Sequence, residues 1–327
     1  MRAAPVALLA VFLLAGCSGS QPAADADGTG EGMATHDGHE GAAAGTHLLA
    51  PVWKVGDYWT LSSPQGGEFT HAVSAESGDD WVMDTDSPDI AFFDARLDIS
   101  FLGKVRKSDL AGSQGSQRVE FLRFPLQSNM TWSTSWDGAP TMIHVGKVAE
   151  GKAQLKAMRV DGSTYAEYTY SGSAGYFSRF VFYAPDGTTV GYEWTLQSSG
   201  HGFGKPLVRY SLATLFTTSG PIPTGRATNF QVEPGFTDVY VEGALDCTAG
   251  AVTAAVGPMT GPAENRGYTA AGPCPLQKVD SYALTAPTAS EQWGAFVNGA
   301  PTTAGTLELT VFGRILTQFA AGQAPAA

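Results

Sequence analysis

Short stretches of alternating apolar and polar residues, separated by tight-turn dipeptides, constrain the fold of this chain more than any other feature. Asp137-Gly138, Asp161-Gly162 and Asp186-Gly187 each stand between two such stretches. Asp-Gly pairs favour the two-residue turns of β-hairpins. From Asp57 to Thr217 the pattern predicts about ten short strands and no amphipathic helix. We therefore expect an all-β protein that begins with a meandering antiparallel sheet, folded as a curved sheet or half-barrel.

A second series of alternating segments follows a break rich in proline and glycine over residues 219–226. Segments such as Asp238–Glu242 and Leu307–Val311 have the spacing of a small β-sandwich. The sequence thus predicts an antiparallel β domain over residues 51–218, a linker over 219–226 and a β-sandwich over 227–316. A tail of small residues is expected over 317–327.

The N-terminus has the pattern of a secretory signal, with Met1-Arg2 followed by an apolar run that is too short to span a bilayer comfortably. Leu14-Ala15-Gly16-Cys17 resembles the lipobox of prokaryotic lipoproteins at every position. The resemblance implies that residues 1–16 are a signal peptide and that Cys17 becomes the lipidated first residue. It further implies an extracytoplasmic protein held to the membrane through Cys17. The alternative is an ordinary secretory signal with an incidental cysteine.

Residues 17–50 are expected to form a disordered tether, because Gly, Ala, Ser, Thr and acidic residues cannot bury enough apolar surface to order themselves. The tether contains His36, His39 and His47. Imidazole suits Zn²⁺ or Cu²⁺, and two histidines three positions apart can chelate. Metal capture by the tether is therefore one hypothesis, and a polar spacer that happens to contain histidine is the other.

Two cysteines, Cys247 and Cys274, remain when Cys17 is set aside. In an oxidising compartment such a pair most simply forms one disulfide. The alternative, a pair of metal-binding thiolates, has no third cysteine or nearby histidine to support it.

An acidic cluster around Trp81 contains Asp84, Asp86 and Asp89. Oxygen-rich turns of secreted β proteins hold Ca²⁺, but this segment lacks the central Gly and terminal Glu of an EF-hand loop. A calcium site and a solvated acidic hairpin are the two interpretations. No cofactor is expected.

The first domain resembles a broad group of extracytoplasmic β-sheet lipoproteins, most of them of unknown function. The resemblance rests on Phe124-Pro125-Leu126, Thr131-Trp132, Val160–Tyr165 and Tyr176–Ser178, although Asn129 stands where that group has a glycine. It implies a strongly curved antiparallel sheet with a concave side. Aromatic residues of the predicted strands could line that side and hold an apolar ligand or lipid, or they could simply fill a core. These residues are Tyr168, Tyr170, Phe180, Phe182 and Trp194.

The end of the chain is similar to the jelly-roll accessory modules of secreted proteins, as Trp293–Gly299 and Gly305–Val311 show. Such modules bind surfaces or stabilise their neighbours. The net charge of −12 and the lack of a basic cluster argue against nucleic-acid binding. No Gly-x-Ser-x-Gly, His-Glu-x-x-His or Cys-x-x-Cys motif occurs. The sequence predicts a non-catalytic binding or envelope-structural protein, whose partner is a surface protein, a glycan or an apolar ligand.

Overall fold

A computed structural model of the chain describes residues 47–97, 101–114, 117–260 and 267–323. These residues form two compact units. The first extends to Arg209 and resumes at Gln318, and the second is Tyr210–Thr317. No helix in the described ranges is long and apolar enough to cross a membrane.

The first unit is built from strands and one helix. In chain order they are β1 (His47–Leu48), β2 (Asp57–Ser63), β3 (Gly67–Ser77), β4 (Asp80–Thr85), α1 (Pro88–Leu97), β5 (Gly103–Arg106), β6 (Gly112–Gln114), β7 (Gln117–Val119), β8 (Leu126–Gln127), β9 (Thr131–Trp136), β10 (Ala139–Ala149), β11 (Lys152–Arg159), β12 (Thr164–Ser171), β13 (Tyr176–Tyr183) and β14 (Val190–His201). Strand β15 (Leu207–Pro221) begins in this unit and ends in the second.

The strands of the first unit pair as a long antiparallel meander in the order β4-β3-β2-β14-β13-β12-β11-β10-β9. Neighbours in the sheet are also neighbours in the chain, except where β2 pairs with β14. The turns at Asp137-Gly138, Asp161-Gly162 and Asp186-Gly187 connect consecutive strands as expected. Beyond β4, the short strands β5, β6 and β7 extend the sheet in turn. The prediction of an all-β fold is confirmed.

Aromatic side chains dominate the core of the first unit. Tyr168 stacks on Phe180 with ring centroids 4.7 Å apart, and Phe101 stacks on Phe121 at 5.1 Å. Many other rings of this cluster meet edge to face, the arrangement that the ring quadrupole favours. The alternation of strands such as β12 places these rings on one side of the sheet.

The helix α1 is a feature that the sequence pattern did not predict. Ser87 precedes it, and its hydroxyl accepts a hydrogen bond from the Ile90 amide at 3.3 Å. Pro88 occupies the first turn, where its missing N–H and fixed φ are tolerated. Asp89 in the first turn and Arg96 in the last turn both complement the helix dipole. Local capping therefore accounts for a helix inside an otherwise β-forming region.

The described fold starts earlier than Pro51. His47 and Leu48 form β1 and pair with Gln127 and Leu126 of β8. Leu48 is buried in the core of the first unit. The last four residues of the expected tether thus belong to the folded part of the chain. Burial of the Leu48 side chain in the apolar core accounts for this.

The second unit contains the end of β15 and seven further strands, the last of which ends in the first unit. These are β16 (Arg226–Val232), β17 (Asp238–Ala249), β18 (Ala251–Pro258), β19 (Tyr268–Pro273), β20 (Leu276–Thr285), β21 (Glu291–Gly299) and β22 (Ala304–Phe319). One sheet has the order β16-β21-β18-β19, and in the other β17 lies between β20 and β22. Residues of both sheets share one core, centred on Val241, Tyr268 and Trp293. The predicted linker over 219–226 lies inside this unit.

One disulfide joins Cys247 of β17 to Cys274, which lies between β19 and β20. The two Cα atoms are 5.5 Å apart, and the bond spans 27 positions of the chain. The predicted pairing is therefore present. A closed loop of this length is worth about 3 to 4 kcal/mol of stability in the chain-entropy account.

Candidate functional site

The sheet β16-β21-β18-β19 of the second unit has an outer face without charge. On β21, Trp293, Ala295 and Val297 are buried in the core, so the residues between them point outward. The outward positions of the four strands are Ala227, Asn229 and Gln231 on β16, Gln292, Gly294, Phe296 and Asn298 on β21, Ala251, Thr253, Ala255 and Gly257 on β18, and Thr269, Ala271 and Pro273 on β19. We call this set the uncharged face, because it contains no Asp, Glu, Lys or Arg.

Phe296 stands in the middle of the uncharged face with 43% of its surface exposed. Its direct neighbours across the sheet are Ala227 on one side and Ala255 on the other. Both are too small to cover an aromatic ring. The ring is therefore presented to solvent by the strands that flank it.

Amide and hydroxyl side chains surround this ring. Asn298 follows on the same face of β21, with Thr253 directly opposite it. Asn229 lies opposite Gly294, one diagonal step from Phe296. Within the described residues the side chains of Asn229 and Asn298 form no hydrogen bond, which leaves their donors and acceptors for a partner.

Met259 adds a second exposed apolar side chain, with 55% of its surface exposed. It lies over Gly294, where a Cβ atom would come within 3.3 Å of its Cγ atom. The glycine makes room for the methionine two positions before Phe296 on the same face of β21. The uncharged face thus combines two apolar groups with neutral polar groups.

The other sheet of this unit differs sharply. On β17 and β22 its charged side chains include the exposed Asp246 and the half-buried Asp238 and Glu308. Glu242 and Arg314 occupy outward positions too, but both are buried. Arg314 pairs with Asp238, its Nη2 atom 2.9 Å from Oδ2. In a chain with a net charge of −12, the contrast between these two faces singles out the uncharged one.

A cleft lies in the second unit where β15, β16, β21 and β22 meet. It holds about 420 Å³ of space, part of which is open solvent. Its lining comprises Phe216, Thr218, Ser219, Gly220, Pro221, Pro223, Arg226, Thr228, Ala295, Val297 and Leu307. Arg226 is the one charged side chain in this lining, and its Nη1 atom is 3.5 Å from the Thr218 hydroxyl.

Two histidines of the first unit find partners that no sequence pattern signalled. His201 Nδ1 lies 2.8 Å from Oδ1 of the buried Asp57. Asp57 is held in turn by the Lys54 amide, which donates to Oδ2 at 2.7 Å. His71 and the Tyr176 hydroxyl share a 2.8 Å hydrogen bond, and burial lowers the pKa of His71 to about 3. His71 is therefore a neutral core residue, and a carboxylate holds His201 in place.

The aromatic residues that could have lined a concave cavity are instead part of the packed core. Tyr168, Tyr170, Phe180, Phe182 and Trp194 are all buried in one cluster. Phe180 contacts Tyr168, Phe182 and Trp194 with centroids 4.7, 4.9 and 5.5 Å away. This placement favours the core-filling interpretation over the apolar-ligand one.

The structure separates the three carboxylates of the candidate calcium site. Asp84 is buried and bonded to Arg209 and Ser74. Asp86 accepts a hydrogen bond from the Thr70 amide at 2.7 Å, and Asp89 is exposed at the start of α1. In the parts of the chain that the structure describes, no three His, Cys, Asp or Glu side chains are grouped to hold a metal ion.

The remaining candidate positions lie near or beyond the described N-terminus. Cys17, His36 and His39 are outside the described residues. His47 is exposed on β1. The proposed lipid anchor and the metal-binding tether therefore stay predictions.

Comparisons with known proteins add little. No protein-family model and no curated protein matches the chain. Among solved structures, it resembles a cycloalternan-forming enzyme from Listeria monocytogenes in complex with a pentasaccharide substrate, at 15% identity over 57% of this chain and a TM-score of 0.19. A glycoside hydrolase family 43 arabinoxylan arabinofuranohydrolase from Bacillus subtilis is 8% identical over 76% of this chain, with a TM-score of 0.20.

The particle of infectious bursal disease virus is a third similar structure, with 11% identity over 85% of this chain, 70% of that chain covered and a TM-score of 0.17. The matches span 22% of the Listeria enzyme and 64% of the Bacillus enzyme, less than two thirds of either. Likenesses of this strength carry no argument about fold or function.

Proposed function

We propose that this protein is a non-catalytic, extracytoplasmic binding lipoprotein whose second unit attaches to a neutral, hydroxyl-rich glycan through the uncharged face. The observation that carries the proposal is the exposed ring of Phe296, set among small residues, amides and hydroxyls with no charge around it. The negative face of an aromatic ring attracts the polarised C–H groups of a sugar. Free amides supply both donors and acceptors for hydroxyl groups.

The lack of charge favours a neutral partner over a charged one. A charged partner would gain nothing from this surface and would lose hydration on contact. A neutral glycan has no such penalty, because its hydroxyl groups exchange water for the amides of Asn229 and Asn298. The face is also broad, since it extends over four paired strands. It therefore suits an extended polymer better than a small molecule.

Affinity electrophoresis of the chain in native gels tests this proposal. Gels containing cellulose derivatives, xylan, mannan or β-glucan are the probes, and we expect retardation by at least one of them. Phe296→Ala is expected to abolish the retardation, because it removes the exposed ring while leaving the core unchanged. Val279→Ala is the matched control, since Val279 is equally exposed on the other sheet.

Two results would overturn the glycan assignment. One is a chain that none of the neutral polysaccharides retards. The other is Phe296→Ala retarded as strongly as the unchanged chain. Self-association of the unchanged chain, lost in Phe296→Ala when measured by sedimentation, would identify the face as a contact between copies instead.

The membrane anchor is the second part of the proposal, and it rests on Leu14-Ala15-Gly16-Cys17. Lipidation at Cys17 would hold the protein at the membrane while the folded part reaches outward to a glycan. We expect the unchanged protein to fractionate with membranes and to incorporate a labelled fatty acid. Cys17→Ala is expected to abolish the labelling, and labelling that persists in this variant would contradict the anchor.

A further inference from the structure

The cleft of the second unit carries a positive charge in an acidic protein. Arg226 lies at the start of β16, and it is the one charged residue among the side chains that line the cleft. In the described part of the chain, no carboxylate lies within ion-pair distance of Arg226. Most other described arginines pair with Asp or Glu, as Arg106 does with Asp109. Arg226 is therefore available to an anionic group from outside.

The remaining lining of the cleft has two parts of different chemistry. Hydroxyl groups come from Thr218, Ser219 and Thr228, and the apolar contribution comes largely from Phe216, Val297 and Leu307. A sugar ring also combines polar and apolar groups, because its hydroxyl groups surround a face of C–H bonds. An Arg guanidinium binds a carboxylate through two parallel N–H···O bonds, a geometry that a hydroxyl group alone does not match.

We propose that this cleft is a subsite for a carboxylate-bearing sugar, a uronate branch on a glycan whose neutral backbone the uncharged face binds. The inference rests on the proposed function, because it assigns a second contact for the same ligand. The edge position of β16 supports it, because β16 is the first strand of its sheet. Arg226 and Ala227 are consecutive on β16, so their side chains point to opposite faces, Arg226 towards the cleft and Ala227 beside Phe296. A polymer on the uncharged face would therefore reach the cleft with a branch that passes around this edge.

The test uses the full chain and simple probes. Binding of D-glucuronate, D-glucose and acetate is measured by NMR chemical-shift titration of the unchanged protein and of two variants. Arg226→Gln removes the charge from the cleft. Arg179→Gln is the matched control, because Arg179 is an exposed cation of the first unit.

We expect glucuronate to bind more tightly than glucose or acetate and to shift signals of cleft residues such as Thr218 and Val297. Arg226→Gln is expected to weaken glucuronate binding by about fivefold, the upper end for an exposed charge pair. Arg179→Gln is expected to leave it unchanged. Retardation by neutral polysaccharides is expected to survive in Arg226→Gln.

Several outcomes would overturn the subsite. One is that glucuronate binds Arg226→Gln as tightly as it binds the unchanged chain. The others are that the unchanged chain binds glucose, or acetate, as tightly as it binds glucuronate. A short peptide with a free C-terminal carboxylate is titrated beside these probes, and its binding more tightly than glucuronate would assign the cleft to a protein partner and overturn the sugar subsite. Failure of the proposed function is distinguishable, because either the unchanged chain would then show no retardation by neutral polysaccharides or Phe296→Ala would keep it, whatever Arg226→Gln does to glucuronate binding.

Discussion

Two parallel hydrogen bonds join Arg209 to Asp84, with Nε 2.8 Å from Oδ1 and Nη2 2.7 Å from Oδ2. The carboxylate is almost completely buried, and the Ser74 hydroxyl donates a further hydrogen bond to it. Backbone pairing between β15 and β4 is brief, because Val208 and Thr85 are the one pair in register there. The ion pair therefore adds a side-chain link between β15 and β4 to this single backbone pair.

Arg209→Leu is expected to destabilise the protein by about 3 to 5 kcal/mol, because it leaves the Asp84 carboxylate buried without its counter-ion. Urea unfolding measures the change. Lys156→Met is the control, since the ion pair of Lys156 with Glu167 is exposed and contributes at most about 1 kcal/mol. Equal losses for the two variants would show that water, rather than Arg209, satisfies Asp84.

This pair also explains why the sequence alone left a calcium site open beside a solvated acidic hairpin. Asp84, Asp86 and Asp89 are close in the chain, and an acidic cluster is a local signal. The cation that neutralises Asp84 comes from a residue far along the chain, on a strand that only the tertiary fold brings near. Spacing in the sequence identifies only local neighbours, so it could not predict that Arg209 is the cation beside Asp84.

His71 gives the folded state a pH dependence of defined sign. Burial lowers the pKa of its imidazole to about 3, against about 6.5 in an unfolded chain. Below pH 6.5 the imidazole is protonated in the unfolded chain but not in the folded chain. The contribution of His71 to the free energy of unfolding is therefore complete above pH 6.5 and is lost as the pH falls towards 3.

From pH 7.5 to pH 5 this histidine is expected to remove about 2 kcal/mol from the free energy of unfolding. Chemical denaturation at several pH values measures it. In His71→Gln the slope between pH 7 and pH 5 is expected to become flatter. An unchanged slope in His71→Gln would mean that other groups produce the pH dependence.

Gly243 of β17 is needed because the Tyr268 ring occupies the space in front of it. A Cβ atom at Gly243 would lie 2.3 Å from Cδ2 of Tyr268. That ring is fully buried, and its hydroxyl donates to the Lys278 carbonyl at 3.2 Å. Gly243→Ala is expected to cost about 1 to 3 kcal/mol, the usual penalty for an overpacked core.

A double-mutant cycle with Tyr268→Leu checks this mechanism, because the smaller side chain should remove most of the added penalty of Gly243→Ala. Gly204→Ala is the control, since a Cβ atom there meets nothing within 4 Å. If the two changes were additive, the loss in Gly243→Ala would come from the backbone and not from the contact with Tyr268.

The local features of the fold were the predictable ones. Asp-Gly pairs at Asp137 and Asp186 specify turns through their own backbone preferences, and the structure has turns there. The pairing of Cys247 with Cys274 followed from counting cysteines. The signals for α1 were present at Ser87 and Pro88, but strand-like patterns on either side outweighed a helix of only ten residues.

The candidate site was predictable only in part. Alternation on β21 separates Trp293 from Phe296, and it indicates that the two side chains face opposite ways. It does not show that alanines flank Phe296, since Ala227 and Ala255 come from strands whose register forms only in the folded sheet. The cleft at Arg226 could not be predicted from the sequence either, because residues of four different strands line it.

Salt distinguishes the two contacts that we assign to the glycan. Raising NaCl from about 50 mM to about 500 mM shortens the Debye length from about 14 Å to about 4 Å. Binding of a neutral polysaccharide should barely respond, because the uncharged face offers no charge to screen. Binding of glucuronate should weaken, because it depends on the exposed charge of Arg226. Affinity gels with Phe296→Ala measure the first contribution at the two salt concentrations, and NMR titration of glucuronate with Arg226→Gln measures the second. A neutral polysaccharide whose retardation falls more than about twofold with salt would place its binding on charged residues elsewhere and contradict the assignment to Phe296.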